Sequence, residues 1–394
     1  MELDPVARRL ERAADVEDLR RIARRRLPRG VFDYIDGGAE DERTLERNSS
    51  GFARIEFQPR VLRDVAKVDT TASVLGVERA MPLILSPTGF TRIADPEGEL
   101  AVARAAERAG IPYSLSTMGT RSIEEVAAVS AAAKWYQVYT WRDRSLVRDM
   151  LDRAAASGYE AIMLTVDTAV LGRRERDVRR GYTLPPKIGL DTIVDGIIHP
   201  RWTFDFLRNE PITFANVAAS NPANDGSDSA VDLSRYMNSQ FDAGLSWDDV
   251  EWLRSTWGGP VIIKGIQTVA DAKLAVSSGV EAIALSNHGG RQLDDAPSII
   301  ELVEPVAQEV GGQIEIYCDG GVRRGSDIVK AVALGATAVM MGRPYLYALG
   351  AGGERGVDHV LSFMADGMAR TMQLSGCRAV ADITPDLVRW RYPG

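Results

Sequence analysis

The sequence predicts a (β/α)₈ TIM barrel, preceded by an N-terminal helical cover segment and interrupted by a long loop after its fourth strand. From Met81 onward, short β-rich runs alternate with helical patterns rich in Ala, Glu and Arg, and eight such units can be counted. A parallel sheet needs a crossover for each strand, and eight strands close a ring, so this pattern is typical of a barrel. A doubly wound open sheet would need a GxGxxG fingerprint after its first strand, where this sequence has SPTGF.

The chain divides into an N-terminal segment at residues 1–80 and a barrel domain at 81–394. Residues 6–26 carry apolar positions at helical spacing, and Leu27-Pro28 ends that pattern. The next stretch predicts a short helix, a break at Gly37-Gly38 and a charged second helix. Short β-like pieces between residues 52 and 78 predict a cover segment or an edge hairpin.

The barrel elements can be placed one by one from the same alternation. The strands are predicted at 82–86, 113–117, 134–139, 161–167, 261–264, 282–286, 315–319 and 338–342. The helices are predicted at 97–109, 121–130, 144–157, 247–257, 268–278, 297–309, 325–334 and 354–373.

One connection, the insert at about 168–246, breaks the rhythm of short loops. Loops of this length are usually lids, interaction surfaces or disordered inserts. Apolar residues at helical spacing lie in it, followed by aromatic residues and then by the polar stretch SNPANDGSDS; they are Leu190, Ile193, Val194, Ile197 and Ile198, then Trp202, Phe204 and Phe206. The helical piece is too short to span a bilayer, so we expect a lid, a subunit contact or a peripheral membrane contact.

Composition excludes several classes of protein. The 55 acidic and 47 basic residues give a formal net charge of −8 without a long basic run, so nucleic acid is not an expected partner. Cys318 and Cys377 are the only cysteines, which argues against a disulfide framework or a cysteine metal cluster and favours a reducing compartment. The N-terminus is charged and amphipathic, and no apolar run of spanning length occurs, so we expect a cytoplasmic protein without a membrane span.

The stretch EAIALSNHGGRQLD, residues 281–294, carries the clearest chemistry. A short buried strand ends in a turn whose two glycines permit positive φ, so that His288 and Arg291 project from one loop. The histidine can act as a base, and the arginine can bind a carboxylate in bidentate fashion. Taken alone, the pair could equally be a hydrogen-bonded loop histidine beside a surface arginine.

Residues at the other strand ends favour a catalytic role for His288 and Arg291, because barrel enzymes place their catalytic groups at the C-terminal face, where the strands end. The loops after the seventh and eighth strands are the usual phosphate site of the architecture, and they carry Asp319, Gly321, Arg323, Gly342 and Arg343. The uncharged groups Ser116, Gln137 and Thr165 suit the edge of a flat heterocycle rather than a metal. Lys264 adds a cation that would stabilise a reduced flavin, so a flavin with a phosphate is indicated.

From Val31 to Arg378 the chain resembles the family of FMN-dependent 2-hydroxy acid dehydrogenases and oxidases. The motifs that carry the resemblance stand in the family's order: VFDYIDGGAEDE, SPTGF, DPEGE, QVY, LTVD, GRRERD, IKG, SNHGGRQLD, DGGVRRGSD and MGRPYLY.

The resemblance implies that His288 takes a proton from an (S)-2-hydroxy acid such as lactate or mandelate, with Asp167 orienting it, and that a hydride passes to FMN. Arg174, Arg291 and Tyr34 would bind the substrate carboxylate, and Tyr139 would contact the hydroxyl. A carbanion route stays open. FMN would lie on Pro87, Thr88 and Gly89, with Ser116, Gln137, Thr165, Lys264 and Ser286 at its ring and Asp319, Gly321, Arg323, Gly342 and Arg343 at its phosphate.

Two departures bear on the subtype. Gly89 stands where many of the oxidases have Ala, and Met118 stands where glycolate oxidase has Trp, so a roomier pocket is expected. The insert is similar to that of membrane-associated mandelate dehydrogenases, which implies quinone as the electron acceptor and a peripheral site on the cytoplasmic face of the membrane, while the oxidases imply oxygen and release of hydrogen peroxide. A homo-oligomer, a tetramer, is also expected.

Two competing classes of protein fit the sequence less well. A non-oxidising FMN barrel isomerase would need a diphosphate and metal site, and would not need Arg174, Arg291 and a His-Asp pair. A silent barrel used for binding would be expected to lose His288 or its partner, and both are present.

Overall fold

The N-terminal part of the chain folds into four helices and three short strands. The structure is a computed structural model and describes residues 4–139, 141–179, 190–220 and 241–391. The helices are α1 (Pro5–Leu10), α2 (Val16–Arg26), α3 (Arg29–Asp36) and α4 (Arg43–Ala53), and the strands are β1 (Ile55–Phe57), β2 (Ala72–Val74) and β3 (Val77–Arg79).

The predicted single helical pattern over 6–26 is interrupted between α1 and α2. Asp15 forms the N-cap of α2, since its Oδ1 accepts a hydrogen bond from Asp18 N at 2.8 Å. The predicted hairpin is formed by β2 and β3, while β1 pairs antiparallel with a last short strand, Val388–Trp390. Helix α2 buries Leu19 and Ala23 in the same hydrophobic core as the barrel residues. The predicted domain boundary at residue 80 stays a prediction.

Eight parallel strands close into a barrel, as the alternation in the sequence predicted. They are β4 (Leu83–Leu85), β5 (Tyr113–Ser116), β6 (Lys134–Val138), β7 (Ala161–Thr165), β8 (Val261–Ile266), β9 (Ala282–Ser286), β10 (Glu315–Asp319) and β11 (Ala338–Met341). Neighbours in the ring are neighbours in sequence, and β11 pairs with β4 to close it.

Alternate residues of each strand face opposite sides of the barrel wall. In β7, Met163 belongs to the cluster inside the barrel with Trp135 and Tyr317, whereas Ile162 and Leu164 pack outward against the helices. The strands are buried on both faces, which explains why they appear in the sequence as short continuous apolar runs.

Helices follow the first three barrel strands and cover their outer face. They are α5 (Glu99–Arg108), α6 (Ile123–Val129) and α7 (Arg144–Ala156). A capping box at Ser122 and Glu125 fixes the start of α6.

The insert after β7 contains α8 (Glu175–Arg179), α9 (Leu190–Ile198), α10 (Pro200–Arg208) and α11 (Ala215–Ser220). Trp202 Nε1 donates to Ile93 O in the loop after β4 at 2.8 Å, and Asp195 Oδ2 accepts from Arg29 N at the start of α3 at 2.5 Å, so α10 docks on the barrel and α9 on the N-terminal segment. The side chains of Leu190 and Ile193 and most of the stretch SNPANDGSDS lie outside the described residues.

The opposite face of α9 and α10 is exposed and apolar. Its exposed side chains are Val194, Ile197, Ile198, Phe204 and Leu207, whereas Phe206, also exposed, stacks on the docked Trp202. Among the described residues, no helix combines the length and apolar character that a membrane crossing would require.

The second half of the barrel is covered by α12 (Trp247–Trp257), α13 (Val269–Ser277), α14 (Ile299–Val310), α15 (Gly325–Ala333), α16 (Arg343–Gly352) and α17 (Glu354–Ser375). The sequence predicted one helix after the eighth strand, and the structure has two, separated by Gly353 at φ +63°. Most of α16 is buried, so its sequence lacks the polar face by which an amphipathic helix is recognised.

Candidate active site

A cavity of about 470 Å³ opens among the carboxyl ends of the barrel strands, a size typical of small-molecule sites. Every predicted site residue lines it except Asp167 and Ser286, which support residues that do. Those that line it are Tyr34, Pro87, Thr88, Gly89, Ser116, Gln137, Tyr139, Thr165, Arg174, Lys264, His288, Arg291, Asp319, Gly321, Arg323, Gly342 and Arg343.

His288 follows β9 in a left-handed turn, with φ +56° at the histidine and φ +66° and +72° at Gly289 and Gly290. Such a conformation is uncommon for a residue with a side chain and is typical of functional sites. Nδ1 of His288 lies 2.9 Å from Oδ1 of Asp167, whose side chain is 2% exposed. Because the carboxylate accepts the proton on Nδ1, Nε2 of the neutral ring is the nitrogen left to act as a base.

Arg291 and Arg174 lie against the ring of Tyr34, with their Cζ atoms 4.9 Å and 5.5 Å from the ring centroid. Nη1 of Arg291 donates to Tyr34 O at 2.7 Å and to Gly37 O at 3.0 Å, which leaves the other arm of the guanidinium group to bind a ligand. Burial, and then the like charge of Arg174, lower the pKa of Arg291. An anion placed between the two arginines would relieve that repulsion.

Tyr139 closes another side of the same region. Its ring meets Phe241 edge to face, with centroids 5.2 Å apart. Burial, and the neighbouring charge of Asp167, raise the pKa of the phenol, so its hydroxyl is protonated and can donate a hydrogen bond at neutral pH.

The residues predicted at a flat heterocycle form one wall of the cavity. Ser116 Oγ donates to Oε1 of Gln137 at 2.8 Å, which fixes the orientation of the amide. Nε2 of Gln137 is buried and has no hydrogen-bond partner among the described residues. A buried donor of this kind calls for an acceptor on a bound group, and the edge of a flavin ring carries such acceptors.

Lys264 also lines the cavity and belongs to a buried hydrogen-bond network with Ser286 and Asp319. Its Nζ lies 2.8 Å from Oδ2 of Asp319 and 3.0 Å from Oγ of Ser286, and Ser286 in turn donates to Asp319 at 2.8 Å. Burial alone would lower the pKa of Lys264, but Asp319 raises it above its ordinary value. The cation is therefore permanent and is held at a fixed place.

The phosphate end combines two glycines and two arginines. A Cβ atom on Gly342 would make ordinary van der Waals contact with Ser86 and Thr88, at 3.6 and 3.7 Å, whereas one on Gly321 would lie 1.8 Å from Asn48 O. Within the described part of the chain, the side chain of Arg323 makes one hydrogen bond, to Val322 O. Arg343 makes more hydrogen bonds to the protein than Arg323 does, because it donates to Ile35 O, Gly37 O and Gly289 O at 2.7 to 3.1 Å.

Several cavity residues were not predicted from the sequence. They are contributed by α4 (Leu45 and Asn48), by the insert (Leu171, Asp177, Val178, Phe214 and Phe241) and by Gln292. Most of these residues have no recognisable motif in the sequence, because only the folding of α4 and of the insert back onto the barrel brings them to the cavity. Asp177 could have been found, since it follows Arg174 by three residues on the same helical turn, with Oδ2 3.6 Å from Nε of Arg174.

A (β/α)₈ barrel whose cavity combines a His-Asp pair, two arginines and a wall with an unpaired buried donor fits an oxidoreductase type of site. The family of FMN-dependent dehydrogenases matches residues 23–390 of this chain. The putative L-lactate dehydrogenase of Mycobacterium tuberculosis is 47% identical over 385 residues, covering 98% of this chain and 91% of the relative. Glycolate oxidase 1 of Oryza sativa subsp. indica is 43% identical over 370 residues, covering 94% of each chain.

The solved structures give the same result. The crystal structure of a monotopic membrane protein, (S)-mandelate dehydrogenase, has a TM-score of 0.92 at 39% identity and covers 96% of this chain and 100% of its own. The chain belongs to the family of FMN-dependent 2-hydroxy acid dehydrogenases and oxidases. It is an FMN-dependent oxidoreductase acting on 2-hydroxy acids, which confirms the fold, the family and the cofactor predicted from the sequence.

Proposed function

We propose that the protein oxidises an (S)-2-hydroxy acid to the 2-oxo acid, with His288 as the base that removes the hydroxyl proton. The observation that supports this role is the 2.9 Å pairing of His288 Nδ1 with a buried Asp167 carboxylate at a cavity that holds two arginines. Asp167 orients the ring and stabilises the imidazolium that forms when Nε2 takes the proton. Bound FMN supplies the acceptor for the two electrons.

Arg174 and Arg291 bind the substrate carboxylate, with Tyr34 between them. Two cationic donors on one acid group fix the orientation of the α-carbon, and such positioning supplies much of the rate in enzymes of this kind. Tyr139 donates to the substrate hydroxyl oxygen, because its own proton is retained at neutral pH.

The chain's residues suit FMN at both ends of the cavity. The donor on Gln137 and the cation of Lys264 suit the ring, with Ser116, Thr165 and Ser286 beside them. Gly321, Arg323, Gly342 and Arg343 would hold the ribityl phosphate, and Pro87, Thr88 and Gly89 would support the ring. Asp319, which the sequence predicted at the phosphate, is a carboxylate that accepts from Lys264, Ser286 and Ser86, so it fixes the cation of Lys264 instead.

The substrate is a lactate-like or larger, mandelate-like acid. Bulky apolar side chains line the cavity, namely Met118, Leu171, Val178, Phe214 and Phe241. A Cβ atom on Gly89 would lie 2.7 Å from Cβ of Met118, so glycine at 89 gives Met118 its room. Apolar walls beside a carboxylate clamp favour a hydroxy acid with an aromatic or branched aliphatic side chain.

The electron acceptor is a quinone, reached at a membrane surface on the cytoplasmic side. The exposed apolar face of α9 and α10 supports this placement. The alternative is a hydroxy acid oxidase that passes the electrons to oxygen and releases hydrogen peroxide. A homotetramer stays a prediction from the family.

The test is anaerobic bleaching of the purified yellow protein by a panel of 2-hydroxy acids, from glycolate and lactate to mandelate, followed by reoxidation with oxygen or a quinone analogue. His288→Asn is the informative variant, because asparagine tolerates the left-handed conformation at this position. We expect it to keep FMN and to lose flavin reduction by about 10² to 10⁴-fold.

His359→Asn is the matched control, since His359 bonds to Ala13 O on the far side of the N-terminal segment. The control should reduce its flavin at the wild-type rate. Wild-type reduction by His288→Asn would remove His288 from the role of base, and failure of every 2-hydroxy acid to bleach the wild type would reject the substrate class.

A further inference from the structure

Arg174 and Arg291 carry like charges and lie against the same aromatic ring, so the protein must hold Arg174 in place against repulsion. Arg291 is fixed by its own bonds to Tyr34 O and Gly37 O. The only side-chain ion pair of Arg174 within the described residues is a long one, at 3.6 Å from Asp177. The position of Arg174 therefore depends on the backbone of the loop that carries it.

That loop is attached to the end of α3 and the turn after it on both sides of Arg174. Glu40 N donates to Arg173 O at 2.9 Å. Two residues beyond Arg174, Nη1 of Arg176 donates to Oδ2 of Asp36 at 2.8 Å, and its Nη2 bonds to the carboxylate of Glu42.

Asp36 is a buried carboxylate that accepts hydrogen bonds from several donors besides Arg176. Its side chain is 4% exposed, and it accepts from Arg20 Nε at 2.5 Å, from Arg20 Nη2 at 2.9 Å and from Tyr347 Oη at 2.8 Å. Each carboxylate oxygen is thus shared, and Arg176 supplies the one bond that links this buried centre to the loop after β7. Removing a partner from a buried ion pair of this kind has large effects, because the remaining charge is left uncompensated.

The same short segment holds both cations of the clamp. Tyr34 O and Gly37 O fix Arg291, and Asp36 between them fixes Arg176, which lies two residues beyond Arg174. The separation of Arg174 and Arg291 is therefore set by Tyr34, Asp36 and Gly37, three positions at the end of α3.

We propose that Arg176 is a positioning residue, which through its ion pair with Asp36 holds Arg174 where it and Arg291 can engage one carboxylate group. This inference rests on the proposed role of Arg174 and Arg291 in binding the substrate carboxylate. Arg176 itself touches neither substrate nor FMN in this scheme, and its effect on binding passes through Arg174.

The test measures the Kd of oxalate for the FMN-loaded protein, by flavin absorbance and by calorimetry, in Arg176→Met, Arg174→Met and the double variant. We expect Arg176→Met to raise the Kd of oxalate and the KM for the substrate by roughly 10 to 100-fold, as displacements of about 1 Å do elsewhere, with a much smaller change in the limiting rate of anaerobic reduction. In the Arg174→Met background the second substitution should add nothing, because the two residues act as a unit.

Arg179→Met is the matched control on the same helix, since Arg179 pairs with Glu175 at the surface and lies outside the cavity. Arg176→Lys keeps one bond to Asp36 and should give an intermediate Kd, which provides a readout even if Arg176→Met folds poorly. Additive effects in the double variant, or wild-type Kd values in Arg176→Met and Arg176→Lys, would overturn the proposal. An unchanged Kd in Arg174→Met would instead reject the carboxylate clamp itself.

Discussion

Arg323 and Arg343 differ in how much of each guanidinium group is already committed to the protein. Arg343 donates three of its five N–H groups to the carbonyls of Ile35, Gly37 and Gly289, and Arg323 donates one to Val322 O. At the scale of single residues, the two arginines after the last two strands are therefore unequal, although the sequence predicted the same role for both.

We expect Arg323→Met to weaken FMN binding with little change in the stability of the apoprotein, because a charged hydrogen bond worth about 1.5 to 3 kcal/mol is lost. Arg343→Met should weaken FMN binding and also destabilise the apoprotein, since three part-buried hydrogen bonds to backbone carbonyls are lost. The measurements are FMN release, followed by fluorescence, and urea unfolding of the apoprotein. Equal apoprotein stability in the two variants would show that Arg343 serves the phosphate alone.

His288 and Arg291 could be found from the sequence because a strand, two glycines and the two side chains stand within ten residues. Phe241 and Asn48 could not be found in that way. Phe241 meets Tyr139 only after the insert returns to the barrel, and Asn48 reaches Asn287 from α4 across 239 residues of sequence. Contacts of this kind depend on the closed fold and leave no local pattern.

At the scale of elements, α3 is the piece whose role the sequence understated. It was predicted as a short helix in a cover segment, yet the carbonyls at its end and Asp36 bind four arginines, namely Arg20, Arg176, Arg291 and Arg343. The C-terminus of a helix presents free carbonyls and partial negative charge, so cations gather there. Helix α16 was missed for a different reason, because nearly all its residues are buried and no amphipathic period appears.

The bonds to Asp36 predict a pH dependence of stability. Burial alone would raise the pKa of Asp36, but Arg20, Tyr347 and Arg176 lower it well below its ordinary value. Since the folded-state pKa lies below the unfolded value of about 3.9, the stabilisation is fully present at neutral pH and is lost as the pH falls below about 4. Asp36→Asn should cost about 3 to 5 kcal/mol at pH 7, and this difference from the wild type should shrink in acid.

Urea unfolding at pH 7 and at pH 3.5, with FMN at a fixed excess, measures both quantities. Asp366→Asn on the exposed face of α17 serves as the control and should match the wild type at each pH. A pH-independent difference between Asp36→Asn and the wild type would contradict the assignment of a lowered pKa to Asp36.

At the scale of the whole molecule, the barrel followed from the sequence because each strand and helix repeats one local pattern. The sequence also predicted an apolar stripe on the insert, but it left open whether that stripe packs as a lid or stays exposed. The pair of helices α9 and α10 is docked by Trp202 on the loop after β4 and by Asp195 on the start of α3, and several of its apolar side chains stay exposed. A lid would bury that face against its own barrel. The described residues thus favour a membrane surface or a second subunit over a lid.

We expect the wild type to float with phospholipid vesicles at low salt, because burying each large apolar side chain is worth about 1.5 to 3 kcal/mol and several lie on one face. Ile197→Asp with Leu207→Asp should abolish flotation and slow reoxidation by a quinone analogue in vesicles, while flavin reduction by substrate stays unchanged. Leu374→Asp replaces an equally exposed leucine on α17 and should float like the wild type. If the wild type stays unbound while the double variant changes the mass of the assembly in solution, the face is a subunit contact, and the quinone must be reached without a membrane anchor on this insert.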